Sequence, residues 1–481
     1  MVTTSKISID SLGDYQKILE YVPSTHIDET IIKDLRKTYA LRCKALIVEF
    51  PYYEPDFLST YYIFYVKKLK SFPKECFRLL FFSDNNCSNL LGYISLRPTY
   101  EGTHLGRTYL EPKDLVSKSG YLILANSKVH FMGGETIIKV FPHMKQEGDV
   151  AVCAHVSLWS IVRSFTNRFH SYPEIRLGQI VELVQPKSER LIPSKGLSLS
   201  QISDVLLRLN FSPLIVSGSR NHDCSDEILT YIESGIPVIG VSSNACHAVA
   251  IIGHDKPRVA NIDGDMVSGW LENNSNDRSC PEVLFSTKLI NSYYVNDDNF
   301  FPYRIVSKIP RESETHYKVN DKKQFFIMQD FDYAIVPLYH RIQLGYQEAK
   351  SVFMSLVQTG IYNWAKRIIV RMFISSANTY KQYVFENRSK FGKKITDLIT
   401  TLEMPRFIWC VEVSTPEAFS EGNINAITII DSTSATVNTD PFLFITEKDS
   451  INFLDSHEQK AYCVPLSLPI VPCFKKNLQE V

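Results

Sequence analysis

No two of the ten cysteines stand in a C-x-x-C arrangement, so neither a zinc ribbon nor a dithiol redox centre is expected. Neither charge is in excess: Lys+Arg and Asp+Glu both total 52. That balance argues against a broad surface for nucleic acid or for anionic membranes. No apolar run approaches the roughly 18 residues a membrane span needs. Residues 1–10 have no apolar core of signal-peptide length. There is no P-loop and no dinucleotide fingerprint, and Gly133 with Gly134 reads as a turn. Internal repeats and low-complexity tracts are also missing. These absences leave the cytoplasm as the expected compartment, with thiols kept reduced. No cofactor, resident metal, membrane or nucleic-acid partner is expected.

The chain offers 481 residues with 44% hydrophobic and 22% charged side chains, a globular composition too long for one core. Two to three domains are expected, in an α+β class. Residues 1–140 read as a strand-rich α+β N-terminal domain. It opens with a helix near Ser11 to Leu19, followed by β-type runs at 45–50, 61–66, 77–82, 90–96, 121–124 and 135–140. Residues 141–310 read as the chemical unit. Helices are expected at 151–169, 198–209 and 226–233, and strands at 214–216, 237–241, 248–252 and 292–297. The polar stretch between Asp255 and Asn291 is expected to be a surface insertion. Residues 311–481 read as a mixed α/β C-terminal domain, with helices at 343–357 and 390–402 and strands at 407–413, 424–430 and 442–445.

One constellation carries chemistry. Cys153 falls where the 151–169 helix begins, and His247 follows 94 residues later at the opening of an apolar strand. A cysteine attacks a carbonyl carbon as the thiolate. A helix start brings unpaired N–H groups and partial positive charge toward the sulfur. An imidazolium would add a full charge and later protonate the leaving amine. Gln146, just upstream, is placed to loop back as a side-chain oxyanion donor. The imidazole needs an orienting group, and Asp297, at the end of the 292–297 strand, is the first choice. Asp263 lies sixteen residues after His247 and competes with it. Asp298 is one residue from Asp297 and is expected, by strand alternation, to face the other way. His155 is expected on another helix face, and His254 as structural or at the rim. A zinc grouping of His222, Cys224, Cys246, His247 and Cys280 has irregular spacing and is disfavoured.

These residues resemble the papain-like cysteine peptidase superfamily. The nearest likeness is to the bacterial group of bacteriocin-leader-processing, double-glycine-type peptidases. The likeness covers about residues 141–310. It rests on Gln146 to Cys153 followed by a helix with Trp159, on Ser234 to Ile239, on His247 to Gly253, and on Val295 to Asp297. It implies a papain-like central domain and a thiol protease activity: hydrolysis of a peptide or isopeptide bond in a protein or peptide substrate through an acyl-enzyme. In that scheme Cys153 is nucleophile, His247 general base, Asp297 orienter and Gln146 oxyanion donor. The same thioester also suits a glutamine deamidase or transamidase. A silent papain-like protein-binding module is the non-enzymatic alternative.

Overall fold

Alternating and continuous apolar runs form most of the strands expected from them. In the computed structural model, residues 2–40, 42–112, 119–184, 192–218, 224–258, 280–309, 316–319, 322–434, 441–455, 458 and 460–481 are described. The chain is mixed α and β, as its composition implies. No helix among these residues is long and apolar enough to cross a membrane.

Near the N-terminus, strands Thr3–Ser8, Ala45–Tyr52, Cys76–Phe82, Leu90–Leu96 and Leu105–Leu110 build a five-stranded antiparallel sheet in chain order. Every residue of Cys76–Phe82 and Leu90–Leu96 is buried, because both faces are covered. Leu79 and Phe81 pack with Ile31, Ile32 and Leu35 of the helix Glu29–Tyr39. Leu80 and Phe82 turn instead into the main core.

The expected strand at 61–66 is not one. Glu54 accepts the backbone N–H groups of Asp56 and Phe57, and Pro55 occupies the first turn. This capping starts the helix Pro55–Ile63, which a short 3-10 turn Tyr65–Lys67 extends, and it outweighs the β preference of the aromatic run. The expected opening helix divides into a 3-10 turn Leu12–Lys17 and one α turn, Ile18–Tyr21.

The central antiparallel sheet runs in the order Arg304–Ser307, Ser292–Asn296, His247–Asp255, Val238–Ser242, Tyr333–Tyr339, Phe211–Ser217. Gly120–Leu122 pairs with the far end of His247–Asp255, and Gln479–Glu480 pairs with Gly120–Leu122. Strands from all three expected segments therefore share this sheet, across the divisions drawn at 140 and 310. A third sheet has seven strands, from Glu282–Phe285 through Arg367–Ser376 and Phe407–Ser414 to Lys460–Val464. Glu282–Phe285 joins it in parallel to Arg367–Ser376, so the end of the expected surface insertion is built into a sheet. Arg371 on Arg367–Ser376 bonds Glu233, Glu412 and the Phe474 carbonyl, fastening the helix Ser225–Glu233 to that sheet.

Two buried histidines are stored neutral. Burial pushes His143 down to about 3 despite its hydrogen bond to the Phe300 carbonyl, and pushes His155 down to about 4. The folded state resists their protonation, whereas the unfolded chain accepts it near pH 6.5. Stability is therefore fully present above about pH 6.5 and falls as the pH drops below it. Urea unfolding compared at pH 7 and pH 5 should show this loss. His143→Gln should remove up to about 1.4 kcal/mol of it per pH unit.

Candidate active site

The helix Cys153–Arg168 starts at Cys153 itself. Two contacts fix its position. Ser157 Oγ donates to the Ala248 carbonyl on the central sheet (3.2 Å), and Trp159 Nε1 donates to Asp56 Oδ1 (2.9 Å). Asp56 in turn is paired with Arg107 and accepts the Leu177 N–H. His155 Nδ1 accepts the Val152 N–H at 3.4 Å, so this buried ring serves the helix start.

The loop before the helix is held from the N-terminal sheet. Arg97 and Glu147 form an ion pair at 2.9 Å with both side chains 0% exposed. The same guanidinium donates to the carbonyls of Thr103, Leu105 and Lys145, and Thr60 Oγ1 donates to Glu147. Gln146 is thereby fixed between two anchored neighbours. Its Nε2 donates to Asn299 Oδ1 at 3.1 Å.

His247 is the first residue of its strand, which a tight loop, Ser243 to Cys246, joins to Val238–Ser242. Cys246 takes a left-handed φ of 48° to close that loop. Asp297 directly follows the neighbouring strand Ser292–Asn296, whose Asn296 pairs with Ala250. Diagonal neighbours on one sheet face come within side-chain reach, and His247 Nε2 lies 2.9 Å from Asp297 Oδ1. That oxygen also accepts the Asn299 N–H at 3.0 Å. Phe326 lies against the imidazole, with ring centroids 5.9 Å apart. Nε2 is turned to Asp297, and the Cys153 thiol is a hydrogen-bonding neighbour of the same imidazole.

Burial by itself pushes His247 down, but the Asp297 carboxylate, its hydrogen bond, the Cys153 thiol and Asp298 together hold the imidazole well above its ordinary value. Burial likewise pushes Asp297 up, and His247 outweighs it and keeps Asp297 below the usual carboxylate range. Asp298 goes the other way: burial and the Asp297 charge raise it more than His247 lowers it.

Cys153 and His247 both line one cleft of about 660 Å³. Lys195, Ser198, Gln201, Ser242 and Cys246 make much of the rest polar. Of the residues expected at the site, Cys153, His247, Asp297 and Gln146 are brought to one region, the last through Asn299. Asp298 departs from expectation. The strand ends at Asn296 and a turn follows, so alternation no longer governs it, and its Oδ1 lies 3.6 Å from His247 Nε2. Asp263 and His222 lie outside the described residues. Among the described residues, Cys224, Cys246, His247 and Cys280 do not gather as a metal group: Cys224 is buried against the Phe331 carbonyl, and Cys280 bonds the Gln358 carbonyl. His254 is structural, with Nε2 3.2 Å from Glu233. All ten cysteines are free.

Asn299 and Phe326 were missed from the sequence. Asn299 had a signal, a third polar residue in a turn-forming run after the strand. Phe326 had none, since it comes from a distant segment. No family model, curated protein or solved structure matches the chain.

Arg97→Ala should leave the Glu147 carboxylate buried and unpaired, costing about 3–5 kcal/mol in urea unfolding. The double variant Arg97→Met, Glu147→Leu should recover only part of that loss, because the Thr103, Leu105 and Lys145 carbonyls still lose the guanidinium as donor.

Proposed function

We propose that the chain is a papain-like thiol hydrolase of amide bonds, acting on a peptide or isopeptide bond of a protein. The reading rests chiefly on one observation: His247 opens its strand with Nε2 bound to Asp297 and shares a cleft with Cys153 at a helix start. Three residue types from distant positions converge with the polarity that nucleophilic catalysis requires.

In the proposed reaction the thiol proton passes to His247, and Cys153 Sγ bonds to the carbonyl carbon. The C–N bond breaks, and the amine leaves with the proton from the imidazolium. Water, deprotonated by His247, then attacks the thioester, releasing the carboxylic acid and restoring the thiol. Asp297 holds the ring through Nε2 and stabilises its charged form. The backbone N–H at the helix start and the Gln146 amide, once it swings from Asn299, are the proposed oxyanion donors. A reducing compartment such as the cytoplasm would keep the nucleophile active. The polar, open cleft suits an extended protein segment better than an apolar small molecule.

Iodoacetamide at near-neutral pH, followed by peptide mass mapping, tests the reading. Cys153 should be alkylated first among the ten cysteines, and its rate should fall by about 100-fold in His247→Ala. Labelling of Cys153 no faster than that of the exposed Cys463 would leave a binding module. Incubation of Cys153→Ala with candidate protein substrates should give no cleavage where the unmodified chain cleaves.

A further inference from the structure

Asp298 has no role in that reaction. It is 3% exposed, yet neither carboxylate oxygen has a hydrogen-bond partner beyond the residue's own N–H, and Asp297 Oδ2 also lacks one. Buried carboxylate oxygens are costly when left unpaired, and here two such side chains converge on one imidazole. Among the described residues, His247, Asp297 and Asp298 are the one group of three or more His, Cys, Asp or Glu whose ligand atoms lie within 4.8 Å of one another.

We propose that His247 Nε2, an Asp297 oxygen and an Asp298 oxygen form a site for a divalent first-row transition ion of the Zn²⁺ type. Imidazole and carboxylate donors suit such an ion. Tetrahedral zinc with bonds of about 2.0–2.1 Å sets its ligand atoms about 3.3 Å apart. The Nε2 distances to Asp297 Oδ1 and Asp298 Oδ1 are 2.9 and 3.6 Å, on either side of that spacing. Small side-chain rotations suffice. The Asn299 amide nitrogen is 3.3 Å from Nε2, and Asn299 is exposed. Turning that amide over offers its oxygen as a fourth ligand, on the side from which an ion would enter.

The chemical consequence is exclusive. An ion on Nε2 leaves the remaining proton on Nδ1, so the neutral ring has no lone pair with which to take the thiol proton. The same imidazole serves as base or as metal ligand, never both, and the ion is a reversible restraint on the cleft. The site shares His247 and Asp297 with the hydrolase reading but needs no hydrolysis to exist.

The test uses the full chain carrying Cys153→Ala and Cys246→Ser, which removes both thiols that line the cleft. Calorimetric titration with Zn²⁺ should give one equivalent, and adding Asp298→Asn should weaken it by at least about tenfold. Co²⁺ on the same parent should give a tetrahedral absorption spectrum without a thiolate charge-transfer band. That second readout needs no acidic variant, so it stands even if Asp298→Asn folds poorly. Undiminished binding in Asp298→Asn, no binding to the parent, or a thiolate band would overturn the site. No zinc binding to the parent, with fast Cys153 alkylation in the unmodified chain, sinks the metal site alone. Slow alkylation with zinc binding intact sinks the hydrolase reading alone.

Discussion

A guanidinium sealed from water holds the loop on which the candidate site depends. Arg97 comes from the end of a strand in the N-terminal sheet, and Glu147 lies six residues before Cys153. A buried ion pair is worth having only when its remaining donors are also satisfied. Arg97 meets most of that condition by binding four backbone carbonyls besides Glu147. The arrangement is therefore rigid: moving the loop would strand charge in a place water cannot reach. The first sheet acts as part of the site's frame, because it supplies the group that fixes where the helix of Cys153 begins.

The other half of the site is a matter of strand register. The pairing of His247–Asp255 with Ser292–Asn296 brings an imidazole and a carboxylate to one end of the central sheet. Past Asn296 the chain turns, and the turn gathers Asp297, Asp298 and Asn299 around the ring instead of alternating them. Two adjacent carboxylates in one dry pocket cannot both be comfortable as anions beside a single cation. Asp297, bonded to His247, stays charged, while Asp298 is pushed toward the neutral acid. That asymmetry separates them: Asp297 is hydrogen-bonded to the ring, and Asp298 lies beside it with its ionisation disfavoured.

Local signals carried a good deal of this. The helix beginning near Cys153, the strand opening at His247 and the strand end beside Asp297 were legible to within one or two residues, because apolar periodicity and flanking polar residues mark element ends. The helix Pro55–Ile63 was misread because its capping by Glu54 competes with a run of β-favouring aromatics, and only the cap geometry decides between them. Asp298 was misplaced because alternation applies within a strand and not in the turn beyond it.

By itself, the sequence determined the mixed α and β composition, the approximate ends of the elements that carry Cys153, His247 and Asp297, and the presence of residue types suited to thiol chemistry. Those properties follow from contacts a few residues apart. Tertiary structure alone decided that strands from three stretches of chain share the central sheet, that Arg97 clamps the Gln146 loop, that Phe326 lies against the imidazole, and which aspartate meets Nε2. Each of these pairs residues tens to hundreds of positions apart. Such pairings are selected by burial and by satisfying buried polar groups across the whole fold, and no local pattern encodes them.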